Sequence, residues 1–193
     1  MTHDDKFHKM QRQRVVDNFL PEDEFFAMQE AICGDQCFPW YLNHAKVMHV
    51  ARMIDPDLQK KEIYNWQMVH KFYEGGRPQS PQWDLILPLI NRIQPRALIR
   101  VKANLNHHTD ELIEYDYHTD CGEYYPDGGE NVFKGATTAV FYLNDNDGYT
   151  FFQDGTRVVS KANRIVFFPV NTPHAGTSTT DTKFRFVLNL NYF

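Results

Sequence analysis

The stretch Lys183-Phe184-Arg185-Phe186-Val187-Leu188-Asn189-Leu190-Asn191-Tyr192 alternates with a period of two. Successive side chains of a strand point to opposite faces. Phe184, Phe186, Leu188, Leu190 and Tyr192 therefore share one face, and Lys183, Arg185, Val187, Asn189 and Asn191 share the other. The first face is apolar enough to need a cover of helices. Arg185 then points to the opposite side, which in a sandwich is the space between the sheets. An unpaired guanidinium there would be costly, so an inward Arg185 demands an anionic partner.

Working back from this strand, everything after Arg96 is rich in Val, Ile, Phe, Tyr and Thr and broken by short turns such as Asp127-Gly128-Gly129 and Asp154-Gly155. Strands are expected at Leu98 to His107, Ile113 to Thr119, Gly135 to Leu143, Thr150 to Phe152, Arg157 to Val159, Arg164 to Phe168, Thr172 to Ala175 and Lys183 to Tyr192. So many short strands in about 100 residues are the pattern of a jelly roll or closed barrel. The first half is mixed. Pro21-Glu22-Asp23-Glu24 opens a helix that Gly34 ends, with Phe25, Phe26, Met28, Ala31 and Ile32 as its apolar face. A second helix is expected from Ser80-Pro81 through Ile93, and two further strands at Phe38 to Asn43 and Gln67 to Glu74. The expectation is one domain over 1–193, mainly β with N-terminal helices: 1–95 is a helical and mixed support, 96–193 a jelly-roll core with the helices on one sheet.

Composition narrows the function. The chain has 193 residues, 42% hydrophobic and 15% aromatic, and a formal charge of -5. A chain of this size buries about 70% of its unfolded surface and needs no disulfide or metal to fold. The acidic balance and the lack of a Lys/Arg block argue against nucleic acid as a partner. The longest apolar run, Ile165 to Val170, is far shorter than the ~20 residues that span a bilayer. The charged start Met1-Thr2-His3-Asp4-Asp5-Lys6 lacks a signal-peptide core, which points to a cytoplasmic location. Cys33 and Cys37 lack a second Cys or His pair at zinc spacing and read as ordinary thiols.

The chemistry concentrates in Tyr117-His118-Thr119-Asp120, where an imidazole and a carboxylate at i and i+2 project from one strand face. His108-Thr109-Asp110 repeats the tripeptide, but it lies in a polar bridge that reads as a turn, whereas His118 ends an alternating stretch. Downstream come Pro173-His174-Ala175 and then Arg185. Two histidines and a carboxylate holding one face of a metal, with the other positions open, form the facial triad of non-heme Fe(II) oxygenases.

The ordered string His118-x-Asp120, Tyr142-Leu143-Asn144, Arg164-Ile165-Val166-Phe167-Phe168, Pro173-His174 and Arg185 resembles the 2-oxoglutarate and Fe(II)-dependent dioxygenases, in particular their prolyl-4-hydroxylase-like branch. Phe38-Pro39-Trp40-Tyr41 is similar to a segment in small stand-alone members from bacteria and phages; for a phage-encoded protein the cytoplasm would be the host's. The resemblance covers about the last 90 residues closely and implies a double-stranded β-helix core. It implies that His118, Asp120 and His174 are the catalytic Fe(II) ligands, and that Arg185 holds the distal carboxylate of 2-oxoglutarate. A guanidinium fork suits a carboxylate better than Lys183 would. It further implies that the Tyr142 hydroxyl joins Arg185, with Thr138 adding another. The implied reaction consumes 2-oxoglutarate and O2, with ascorbate as an accessory reductant, and releases succinate and CO2 while an unactivated C–H of a prolyl or other amino-acid side chain, or of a small metabolite, is hydroxylated. Two departures stand out. Asp147-Gly148-Tyr149-Thr150-Phe151 replaces the family's paired glycines, and Asn104 or Asn106 lies where a tyrosine is usual.

A rival reading is a non-catalytic cupin-like module holding a metal or ligand; another keeps the metal and makes Arg185 a structural ion pair. The Asn144 to Gly148 loop is no EF-hand, since Leu143 stands where an oxygen ligand is needed. The partner is a peptide or small molecule, and specificity is expected in loops such as Cys121 to Lys134, where Glu123, Asp127 and Glu130 favour a neutral or basic substrate. The sequence leaves the oligomeric state open.

Overall fold

The computed structural model describes residues 13–34, 37–46, 62–120 and 133–193. The elements run β1 (Arg14–Val16), α1 (Glu22–Cys33), β2 (Tyr41–Asn43), β3 (Gln67–Glu74), β4 (Arg77–Pro78), a 3₁₀ turn (Trp83–Ile86), α2 (Leu87–Ile93), β5 (Leu98–His107), β6 (Thr137–Tyr142), β7 (Tyr149–Phe152), β8 (Arg157–Val159), β9 (Arg164–Pro169), β10 (His174–Gly176) and β11 (Phe184–Tyr192). An eight-stranded antiparallel sheet has the order β1-β9-β6-β11-β5-β3-β2, with β4 paired to β3, and faces a three-stranded sheet β10-β7-β8. The large sheet draws strands from both halves of the chain.

The alternation of β11 places its side chains as expected. Phe186, Leu188 and Leu190 are buried in one core with Phe25, Met28 and Ile32 of α1, Ile86 and Leu89 near α2, and Val101, Ala103 and Leu105 of β5. A smaller cluster, Val140, Tyr142, Phe152, Val158, Val166, Phe168 and Val187, fills one end of the space between the sheets. The rest of that space is a cavity.

Three expected elements differ, each for a local reason. The helix expected from Pro81 to Ile93 is α-helical from Leu87 alone, because Pro88 lacks the N–H an interior position needs and fits the first turn instead. The strand expected at Phe38 to Asn43 shortens to Tyr41–Asn43. The stretch Ile113 to Thr119 forms no ladder: it touches the β10 segment at two bridges, Glu114 with Thr177 and His118 with His174. The chain advances four residues on one side and three on the other between these bridges, a one-residue register slip of the bulge kind. Strands β1 and β4 were not expected; β4 is the return of the Gly75-Gly76 hairpin, where both glycines have positive φ. Among the described residues no helix is long and apolar enough to cross a membrane.

Candidate metal centre and its cavity

His118 and His174 are brought together by the backbone. His118 N donates to His174 O at 2.9 Å, and His174 N donates to His118 O at 3.0 Å. This reciprocal pair sets the rings side by side, with centroids 4.7 Å apart. Each Nδ1 lies against a carbonyl, His174 at 3.0 Å from Thr172 O and His118 at 3.4 Å from Asp116 O. Nδ1–H is then the donor, and the Nε2 lone pair of each ring is left for a metal. Phe168 packs on the edge of the His174 ring, its centroid 4.6 Å away.

Asp120 completes the group. The ligand atoms of His118, Asp120 and His174 all lie within 4.8 Å of one another. Its side chain is 5% exposed, and its oxygens are held by four donors: Thr138 Oγ1 at 3.1 Å, Asn189 Nδ2 and Asn191 Nδ2 at 3.0 Å each on Oδ2, and Arg100 at 3.1 Å on Oδ1. Burial pushes the Asp120 carboxyl up, but the neighbouring His174 imidazole, the Arg100 guanidinium, the His118 imidazole and the Asn189 hydrogen bond outweigh it and hold the group ionised, below the usual carboxylate range. Burial, followed by the neighbouring His174, pushes the His118 imidazole down to about 4. Both ligands are thus in the protonation state that a metal needs. Two imidazoles and one carboxylate on one side of a point fit a divalent iron with open positions.

The cavity beside this group measures about 350 Å³, the small end of the range for small-molecule sites. Arg185, 2% exposed, lies on its wall, donating through Nε to Ser160 Oγ at 2.8 Å and through Nη2 to Thr150 Oγ1 at 3.3 Å. Among the described residues no carboxylate pairs with it. Glycines make room for it: a Cβ at Gly148 would sit 2.6 Å from Arg185 Cδ. Among the described residues the hydroxyl of Tyr115, on the same wall, is buried without a hydrogen-bond partner, and so is Asn104 Oδ1. A buried cation and an orphaned hydroxyl facing one cavity are what a bound carboxylate would satisfy.

Of the two residues expected with Arg185, Tyr142 lies beside it, its ring centroid 5.6 Å from the guanidinium carbon, and Thr138 does not. Tyr142 is fully buried behind the wall, its hydroxyl 2.8 Å from Thr150 Oγ1 and 3.3 Å from Val158 O. It reaches the cavity through Thr150, which does line it. Thr138 is away from Arg185; its hydroxyl donates to Asp120, because the inward face of β6 passes under the metal group at that level. The sequence reading missed Tyr115 and Thr150. It also missed Arg100 and Lys102, which with Asn104 and Asn106 alternate with Val101, Ala103 and Leu105 along β5 and line the cavity. The same period-two rule that turned Arg185 inward would have found them, since β5 pairs directly with β11.

No family model and no curated relative matches the sequence. Solved structures do. The chain is similar to a prolyl hydroxylase from Trichoplax adhaerens in complex with a hypoxia inducible factor peptide fragment, at 13% identity and TM-score 0.61 over 97% of this chain and 86% of that one. It is similar to a 2OG-Fe(II) oxygenase family oxidoreductase from Burkholderia pseudomallei, at 13% identity and TM-score 0.58 over 97% and 88%. It is also similar to HygX from Streptomyces hygroscopicus, solved with nickel and 2-oxoglutarate bound, at 11% identity and TM-score 0.58 over 100% and 87%. The described residues therefore carry the double-stranded β-helix fold that these proteins share.

Proposed function

We propose that the protein is a 2-oxoglutarate- and O2-dependent Fe(II) oxygenase that hydroxylates an unactivated C–H of an amino-acid side chain, in a peptide or free, or of a small metabolite. The observation that carries this reading is that Arg185, a buried guanidinium without a carboxylate among the described residues, faces the same cavity as the His118, Asp120 and His174 group. A metal-binding module would need the triad alone. A structural arginine would have its counter-ion in the fold. The shared fold with oxygenases of this kind is the expected background.

In this reading His118, Asp120 and His174 hold Fe(II), and the guanidinium of Arg185 with the hydroxyls of Tyr115 and Thr150 holds the distal carboxylate of 2-oxoglutarate. Iron supplies the coordination site at which O2 is reduced. The chain supplies position. Asn189, Asn191, Thr138 and Arg100 fix the Asp120 carboxylate, and the Thr172 and Asp116 carbonyls fix the imidazole tautomers. Tyr142 orients Thr150. The balance is 2-oxoglutarate, O2 and R–H giving succinate, CO2 and R–OH. Anaerobic addition of Fe(II) and then 2-oxoglutarate should give the visible band of the 2-oxo acid chelate, and aerobic incubation should release succinate, with ascorbate tested as an accessory reductant. Both signals should vanish in His174→Ala. A wild-type protein that binds Fe(II) but forms no chelate band would refute the reading.

A further inference from the structure

The cavity wall carries a second cation, at the level of the metal group rather than of Arg185. Lys102 lies on β5 between Arg100 and Asn104, and all three face the cavity. In the ladder Lys102 pairs with Asn189, whose amide holds the metal carboxylate, while Arg185 pairs with Asn106. Four strand residues separate the two levels, about 13 Å. Lys102 thus stands beside the metal group, far from the carboxylate that Arg185 would hold.

Among the described residues the charges do not balance without a further anion. Arg100 is compensated by Asp120 at 3.1 Å. A divalent iron and a doubly charged 2-oxo acid would compensate each other. The cations of Arg185 and Lys102 remain; among the described residues neither has a carboxylate at ion-pair distance, and only the more distant charges of Asp120 and Glu74 act on Lys102. Burial, with the neighbouring Arg100 charge next, pushes the Lys102 ammonium down to about 8, the mark of a cation held in its wall without enough compensation. The loop acids Glu123, Asp127 and Glu130, which favoured a neutral or basic substrate from sequence, lie outside the described residues. The wall of the cavity points the other way.

We propose that Lys102, with Arg100 beside it, binds an acidic group, carboxylate or phosphate, on the molecule that is oxidised. This rests on the oxygenase reading of the cavity and adds the substrate's charge to it. A point-charge ammonium at the metal level would fix which C–H faces the iron, so this contact would set both affinity and the position of attack.

The test uses the full chain loaded with Mn(II) and saturated with 2-oxoglutarate without oxygen, so that binding is read apart from turnover. Calorimetric titrations compare the N-acetyl α-amides of L-glutamate and L-glutamine, and those of O-phospho-L-serine and L-serine, so that the side chain carries the only acidic group. At least one acid should bind about tenfold or more tighter than its neutral partner. Binding of the glutamate pair alone would assign a carboxylate, and of the phosphoserine pair alone a phosphate. Lys102→Met should weaken the acid about tenfold to a hundredfold, Lys102→Arg should restore it, and 2-oxoglutarate affinity should be unchanged in both. The inference is overturned if neutral partners bind as well as acids, if neither acid binds, or if Lys102→Met loses 2-oxoglutarate, which would make Lys102 part of the co-substrate site. Lys102-dependent acid binding in a wild-type protein that takes no 2-oxoglutarate would sink the oxygenase reading and leave the anion site standing.

Discussion

Substituting Arg185 by methionine removes a guanidinium whose partners among the described residues are the Ser160 and Thr150 hydroxyls. Two consequences of opposite kind follow. Toward 2-oxoglutarate, the variant loses a buried, charge-assisted fork, and truncating one side of such a pair costs about 2–5 kcal/mol, or roughly 30-fold to several thousandfold in affinity. Toward folding, the loss is small. Burial already disfavours the charged form of Arg185 in the ligand-free protein, and relief of that penalty offsets the two hydrogen bonds to hydroxyls, worth about 1 kcal/mol each. The melting temperature of the metal-free variant should therefore stay within about 4 °C of wild type or rise, given roughly 2–4 °C per kcal/mol for a chain of this size. Anaerobic titration of the chelate band measures the first effect and calorimetric melting of the metal-free protein the second. An arginine that serves as a structural ion pair would give the reverse pattern, a large fall in melting temperature with 2-oxoglutarate binding intact. That outcome would refute the assignment.

Gly148→Ala should destabilise the fold by about 1–3 kcal/mol in urea unfolding and weaken 2-oxoglutarate binding as well, because its Cβ would lie 2.5 Å from Ser178 O and 2.6 Å from Arg185 Cδ; wild-type stability in this variant would contradict the close approach. Asn191→Ala removes a donor shared by Asp120 and Thr138, and Mn(II) affinity should fall about tenfold to a hundredfold with the far-UV dichroism unchanged. An unaltered affinity would mean that the remaining donors suffice. Asp17 is pulled down to about 2, first by the hydrogen bond from Arg164 and further by Lys161. Its folded pKa lies below the unfolded one, so its contribution is present above about pH 3.8 and is lost as pH falls toward 2. Since Asp17 is 37% exposed, the effect should be about 1 kcal/mol or less. Asp17→Asn should show this deficit at pH 7 and none near pH 2; equal stability of the two proteins at pH 7 would count against it.

Both the triad and the strand that carries Arg185 were legible because each rests on short-range periodicity: His118 and Asp120 at i and i+2, Arg185 opposite Phe184 and Phe186. What joins them was not. The 54-residue separation of Asp120 and His174 is closed by one reciprocal backbone pair across a slipped register, and nothing local in Ile113 to Thr119 announces the slip. Tyr115 reads from sequence as one more core aromatic; that its hydroxyl faces the cavity without a partner among the described residues shows only in the fold. Tyr142 and Thr138 do lie on the inward face of β6, as their spacing implies, but height along the strand decides what each one meets. Thr138 pairs with Asn191 and Tyr142 with Val187 in the ladder, so the first falls at the carboxylate of Asp120 and the second behind Thr150. Period fixes the face; register, which depends on the partner strand, fixes the neighbour.

The two faces of β5 and β11 also divide the work of the molecule. Val101, Ala103, Leu105, Phe186, Leu188 and Leu190 bury the outward face under α1 and α2, where removing a large side chain leaves a void and costs about 2–5 kcal/mol. Arg100, Lys102, Asn104, Asn106, Arg185 and Asn189 face inward around a cavity, where polar groups without protein partners subtract from stability. An interior sheet face this polar is tolerable because the helix-covered face and the Val140 to Val187 cluster supply the apolar burial independently of it. Substitutions on the inward face can thus change what the cavity binds without unfolding the chain. The cations and amides left facing the cavity are costs that a bound metal, a 2-oxo acid and an acidic substrate would each reduce, so the same residues that weaken the empty fold would select its ligands.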